Sequence, residues 1–216
     1  MHFDGGKRST RFLEQNILNL AYAEFDGIGE YDMPDMYPTH IDNLEDIPIQ
    51  GFNFALKEKH PENIGVHFFL HDYQFERVWK YPDRYIDVLK KFKFVLSPQF
   101  STYTDMPKIV QMFNVYRNRW CGRYWQEHGI TVIPTIQWGS DWDLEYCLDG
   151  IPKHSTIAIS TTGDGRWGGY KSIATFYDKT INKLEPETVL LYGKDLSEQL
   201  TGNIVFKRLI SSKVAI

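Results

Sequence analysis

From about residue 49 onward, apolar residues come in short unbroken runs: Gly51–Leu56, Gly65–Leu70, Lys93–Leu96, Ile130–Ile136, Thr156–Ser160, Thr188–Leu191 and Ile204–Phe206. Runs without polar alternation mark strands buried on both faces. Between them the spacing turns helical. Gln74–Phe92 reads as two helices broken near Pro82, Met106–His128 as one long helix, and Tyr170–Leu184 and Leu196–Leu200 as two more. Ser140–Leu148 opens with Ser140 and carries Asp143 three residues on, the spacing of a capping box. Strand–helix alternation predicts parallel pairing with right-handed crossovers. The expected fold class is α/β: a compact parallel (β/α) barrel-like domain, complete or incomplete, with an open doubly wound sheet as the alternative. The barrel is preferred because nearly every run ends in polar residues, as a shared mouth requires.

Upstream the pattern differs. Residues 12–23 (FLEQNILNLAYA) keep a helical rhythm, and residues 26–48 set Gly27, Gly29, Pro34, Pro38 and Pro48 among acids, as an extended wrapping loop would. This divides the chain into an N-terminal helix with an acidic arm over residues 1–48 and a single α/β domain over residues 49–216. No internal repeat or low-complexity segment stands out.

Charge sharpens the division. The net charge is −4, yet between Arg11 and Lys57 there are nine acidic residues and no Lys or Arg. Such an arm is either a solvated edge or a surface for a basic protein partner, or a cover for a basic groove on its own body. The overall balance counts against tight non-specific duplex binding, which depends on many phosphate contacts. Aromatic residues make up 15% of the chain, enough to build a bulky core and also to supply a stacking surface for a base or sugar.

Two cysteines, Cys121 and Cys147, fit a reducing compartment and small core residues better than a disulfide framework or a zinc site. The N-terminus lacks the apolar run of a signal peptide, and no segment is long and apolar enough to span a bilayer. A cytoplasmic protein without membrane contact is expected.

Five stretches, in order, carry a resemblance: GVHFFLHDYQFERVW, FVLSPQFSTYTDMP, YRNRWCGRYWQEHGITVIPT, DGIP and LEPETVLLYG, between about Phe25 and Lys194. Together they resemble a domain-of-unknown-function family, number four-four-one-seven, found in phages and mobile elements. The resemblance implies a mobile-element setting, and for a phage protein the cytoplasm of a bacterial host. It implies no activity.

Candidate chemistry gathers where the strands should end. Parallel strands would bring His71 and Asp72, then Ser97, Gln99, Ser101, Tyr103 and Asp105, then Gln137, Trp138, Ser140 and Asp141, then Ser160, Thr161, Thr162 and Asp164, and finally Tyr192 and Lys194 to one rim. Asp72, Asp105 and Asp141 there would suit Mg²⁺, an oxygen-seeking ion, or act as general acid or base beside His71, with Tyr103 and Gln99 as further catalytic candidates. The competing role for each aspartate is a helix cap, with Pro107 in the first turn after Asp105. No spacing identifies a metal.

The segment TTGDGRWGGYKS (residues 161–172) joins a strand to a helix. Its Gly163, Gly165 and Gly168, with Arg166, would let free N–H groups converge on an anion. It departs from a Walker A loop, because Gly169 stands where the lysine would follow. Turn flexibility is the other reason for such glycines. In the long helix, Ile109, Met112, Phe113, Tyr116, Trp120 and Tyr124 follow an inward-facing spacing. Arg117 borders that stripe, either as a covering stem paired with a carboxylate or as a clamp on phosphate. With its interleaved aromatics this helix is also the best candidate for touching single-stranded nucleic acid.

Two function classes follow. One is a hydrolase acting on a phosphate-bearing ligand, a nucleotide or a nucleic-acid end, with Ser101, Gln137, Trp138, Asp141, Arg117 and Lys194 among its binding residues. The other is a binding or regulatory module without chemistry, which recognises a protein or nucleic-acid partner. A scaffold that has lost its reaction is a third.

Overall fold

A computed structural model describes residues 18–20, 22–23, 25–138, 146–162 and 169–208. In chain order the elements are β1 (Gly27–Ile28), β2 (Met33–Pro34), β3 (Ile49–Gly51), α1 (Phe52–Ala55), β4 (Gly65–His67), α2 (Arg77–Lys80), α3 (Ile86–Leu89), β5 (Phe94–Leu96) and α4 (Lys108–Glu127), followed by β6 (Val132–Ile133), β7 (Thr135–Ile136), β8 (Thr156–Ser160), α5 (Gly169–Leu184), β9 (Thr188–Gly193) and β10 (Ile204–Arg208). The expected N-terminal helix lies almost wholly outside the described residues, and so does most of Ser140–Leu148.

Apart from the small antiparallel β1–β2 pair, every ladder is parallel. One sheet runs β3-β4-β5-β6 and the other β7-β8-β9-β10, so each strand neighbours the next in sequence. The single run Ile130–Ile136 serves both sheets because Pro134 lies in its middle. Proline has no N–H for a ladder. Val132–Ile133 pair with β5, and Thr135–Ile136 pair with β8. No ladder joins β10 back to β3 among the described residues. Lys207, buried on β10, instead donates from Nζ to the carbonyls of Glu45 and Ile47, each at 2.8 Å.

The two faces of the strands pack against different things. Val66, Val95 and Val132 join Trp120, Tyr124 and Trp125 of α4 in one cluster, while Ile136, Ile157, Ile159, Val189 and Leu191 join Ile173, Phe176 and Tyr177 of α5 in another. On the opposite face Ile49, Phe94, Leu96, Ile133, Ala158, Leu190 and Tyr192 meet in a third cluster, fed by strands of both sheets. Gly65 belongs to that inner face. A Cβ there would fall 2.3 Å from the Phe94 ring, so the absent side chain is the space that Phe94 fills.

The run Gly51–Leu56, expected as a strand, is a strand only up to Gly51. Phe52 and Ala55, three apart, are buried while Asn53 and Phe54 are exposed, so the chain turns into a helical step. A run this short fits either period.

Residues 33–48 of the acidic arm lie against the body. Thr39 donates from its N–H to Ser155 Oγ (2.9 Å) and from Oγ1 to the Val132 carbonyl (2.6 Å), and its own carbonyl accepts the Thr156 N–H (2.8 Å). Met33, Met36 and Leu44 are each about 1% exposed and reach three different core clusters. The acids themselves, Asp32, Asp42, Glu45 and Asp46, face solvent.

Helix α4 departs furthest from its expected packing. Ile109 is 69% exposed and Phe113 37%, whereas Gln111, Asn114, Asn118 and Arg119 are buried. The helix is seated by Gly122, where a Cβ would meet Met36 and Ser97, and it ends on left-handed Gly129, with the Ile130 N–H returned to the Trp125 carbonyl.

Candidate functional site

Because the strands share one direction, their carboxyl ends lie on one side. Which rim residues are free there decides what the rim can do.

Several of the expected site residues are engaged by the protein itself. Both oxygens of Asp72 accept from the Ser101 N–H (3.2 and 3.0 Å), and Oδ1 also accepts from Ser101 Oγ (2.8 Å). That carboxylate ties the loop after β4 to the loop after β5. It is not a helix cap, because His71 holds the N-cap position of the following turn without a side-chain bond. Asn114 Nδ2 donates to the Ser101 carbonyl from below. Arg117 Nη1 donates to both carboxylate oxygens of Glu76 (2.8 and 2.9 Å), Nη2 donates to Asn114 Oδ1 (2.6 Å), and the guanidinium carbon lies 3.8 Å from the centroid of the Phe100 ring. This is the covering-stem arrangement with a carboxylate at its tip. Gln137 is fully buried, donating to the Phe100 carbonyl (3.1 Å) and accepting from Asn118 (2.8 Å).

Others stand apart. His71 is exposed and stacks on Tyr73. Tyr103 and Asp105 are exposed, and Gln99 is partly exposed. The N-cap of α4 is Pro107, so Asp105 does not cap that helix. Trp138 stacks on Phe176 with centroids 4.0 Å apart, so its ring is used against α5. Lys194 is exposed. Asp141, Gly163, Gly165, Arg166 and Gly168 lie outside the described residues. No group of three or more His, Cys, Asp or Glu side chains placed to hold a metal ion occurs among the described residues.

Behind the rim a buried polar network takes up the break at Pro134. Ser97 Oγ accepts the Thr135 N–H (2.8 Å) and donates to Asn118 Oδ1 (2.8 Å). The Thr135 carbonyl accepts from Asn118 and from Arg119, both at 3.2 Å. Arg119 is wholly buried and also donates to Asn118 Oδ1 (2.9 Å), the Asp149 carbonyl (3.0 Å) and the Cys147 carbonyl. Burial pushes its guanidinium down to about 10, still charged at neutral pH.

On the inner face the expected rim residues Tyr192, Ser160, Thr161 and Thr162 are joined by His67 and Phe69, which were not among those expected. His67 is 5% exposed, stacked near Phe69 (5.6 Å) and Tyr192 (4.6 Å), while Phe69 and Tyr192 stack on each other at 4.8 Å. Desolvation depresses the imidazole to about 4, so it is neutral at physiological pH. Ser160, opposite Tyr192 in the β8–β9 register, has Oγ 2.5 Å from Thr162 Oγ1 and accepts the Thr162 N–H (3.1 Å). Thr161 holds β9 alongside, accepting the Lys194 N–H and donating toward the Tyr192 carbonyl. The available signal was the period of two along β4: Gly65, His67 and Phe69 share a face, which sets His67 inward.

Both cysteines are buried and neither is in a disulfide. Among the described residues no helix is long and apolar enough to cross a membrane.

Comparison with known proteins supplies the lineage. Residues 25–208 match the family described as Domain of unknown function (DUF4417). The Gene 1 protein of Mycobacterium phage L5 is 37% identical over 191 residues, covering 86% of this chain and 81% of that protein. The Gene 1 protein of Mycobacterium phage D29 is 38% identical over 191 residues, covering 86% of this chain and 68% of that protein. No solved structure matches. The span of the match and the two phage relatives agree with the motifs read between Phe25 and Lys194, and the chain belongs to the DUF4417 family.

Proposed function

We propose that the parallel strands wrap into an incomplete barrel whose carboxyl-terminal mouth binds a phosphate-bearing small molecule of the nucleotide class. One observation carries this reading. His67 on β4, Tyr192 on β9 and Ser160 on β8 come together at the carboxyl ends of their strands, His67 and Tyr192 with ring centroids 4.6 Å apart and Ser160 opposite Tyr192 in register. Strand-end crevices of α/β folds are the usual ligand positions. The Ser160–Thr162 hydroxyls precede a glycine-rich sequence, residues 163–169, whose composition suits an anion. With mycobacteriophage relatives, the setting we infer is the cytoplasm of an infected host cell.

Binding is placed ahead of hydrolysis for a physical reason. Asp72, Arg117 and Gln137, the groups first nominated for acid–base work or substrate contact, are each held by hydrogen bonds to protein partners. They shape the mouth and leave recognition to the inner face.

A thermal-shift series with inorganic phosphate, AMP and adenosine tests the reading. A ligand that binds only the native state at a hundred times its Kd adds about 2.7 kcal/mol of stability, enough for a rise of several degrees. AMP is expected to raise Tm, and adenosine to raise it much less. Equal, flat curves for all three would overturn the reading. A shift with a short single-stranded oligonucleotide and none with AMP would move it to nucleic-acid binding.

A further inference from the structure

Two polar atoms at the mouth have no hydrogen-bond partner among the described residues: His67 Nε2 and Tyr192 Oη. They belong to residues that are 5% and 4% exposed. Buried residues in folded proteins nearly always have their polar groups partnered, so two neighbouring rings whose donors are not used by another described residue are suited to receive a ligand.

The protonation of His67 follows from its other nitrogen. The Phe69 N–H donates to His67 Nδ1 at 3.2 Å. A backbone N–H can only donate, so Nδ1 carries the lone pair and the neutral ring holds its proton on Nε2. The alternation of Gly65, His67 and Phe69 sets the imidazole on the inner face, beside the Tyr192 ring at the strand end. Desolvation keeps both groups in their neutral forms, lowering the imidazole to about 4 and raising the phenol above its ordinary value. Of the two hydroxyl protons on Ser160 and Thr162, one serves their mutual bond and the other remains to be given.

Resting on the mouth as a ligand site, we propose that His67 Nε2–H and Tyr192 Oη–H form an uncharged donor pair that binds a phosphoryl oxygen of the ligand, with the remaining Ser160–Thr162 hydroxyl proton donating to a second. Donors that converge from three strands suit a group that accepts hydrogen bonds in several directions, and a phosphoryl group does. Recognition by oriented neutral donors on buried residues sets direction and distance more tightly than a mobile surface lysine would.

Isosteric variants separate this role from packing. His67→Asn puts an amide oxygen near the Nδ1 position, keeps the Phe69 N–H satisfied and removes the donor at the mouth. His67→Gln carries an amide N–H to roughly the Nε2 position. Tyr192→Phe removes the hydroxyl and keeps the ring. AMP binding is measured by titration calorimetry on variants whose near-ultraviolet circular dichroism matches the wild type. The expected result is a loss of affinity of about tenfold or more in His67→Asn and in Tyr192→Phe, with His67→Gln closer to wild type. Wild-type affinity in both His67→Asn and Tyr192→Phe would overturn the donor pair while leaving the mouth as the ligand site. A wild-type protein that binds no AMP would overturn both together.

Discussion

Replacing Arg119 with lysine is expected to lower the unfolding free energy by about 3–5 kcal/mol, a large share of the stability of a domain this size. The guanidinium spreads its donors over three nitrogens, which reach Asn118 Oδ1 and the carbonyls of Thr135, Cys147 and Asp149. A lysine brings three protons from one atom and cannot span that set. Each buried carbonyl left without a donor costs about 1–3 kcal/mol. The effect should extend to the rim, because Asn118, which shares Arg119's bond, also positions Ser97 and Gln137. Urea unfolding followed by tryptophan fluorescence measures the loss. Lys183→Ala serves as the contrast, since Lys183 is half exposed in its pair with Asp149 and should cost no more than about 1 kcal/mol. If Arg119→Lys unfolded at the wild-type midpoint, the network would not be holding the strand break together.

The second large effect is a pH dependence traced to His67. Its folded imidazole is held down to about 4 by burial, against an ordinary value of 6.5. Between those values the unfolded chain binds a proton that the folded chain does not, so stability rises with pH. Above pH 6.5 the residue contributes no penalty. As pH falls from 6.5 to 4 the folded state loses up to about 3 kcal/mol relative to the unfolded chain. Unfolding curves at pH 7 and pH 4.5 should show this loss in the wild type and its near-absence in His67→Gln. The carboxylates with lowered values, Glu58, Glu127 and Asp195, lose their contribution only at lower pH; Glu127 and Asp195 are exposed and Glu58 is partly so. A His67→Gln variant with the full wild-type pH slope would contradict the buried, neutral assignment.

Much of the scaffold could be read from the chain because buried strands announce themselves as apolar runs. Thr156–Ser160 and Gly65–His67 lie where the runs place them, and the parallel pairing follows from helical spacing between runs. The misses have physical causes. Pro134 splits a run that composition alone reads as one strand, and the groups it frees must be satisfied by Ser97, Asn118 and Arg119. That demand places Asn118 and Arg119 on the buried face of α4 beside Trp120 and Tyr124, which lie inward as their spacing predicts, while Ile109 and Phe113 nearer its amino end face outward against that prediction. At the site, His71 and Asp72 were favoured because they lie beyond the strand end. His67 lies inside the same run, short of that expected rim, and its setting depends on the neighbouring rings of Tyr192 and Phe69, which no local pattern reveals. The arm reads as a wrapping loop set apart by its charge, and Thr39, Met36 and Leu44 hold it against the body.

A crystal structure of the protein grown with AMP tests the central claim most directly. The account predicts a phosphoryl oxygen within hydrogen-bonding distance of His67 Nε2 and Tyr192 Oη, at the carboxyl ends of β4 and β9. AMP bound on another face, or an empty mouth at saturating AMP, would contradict it.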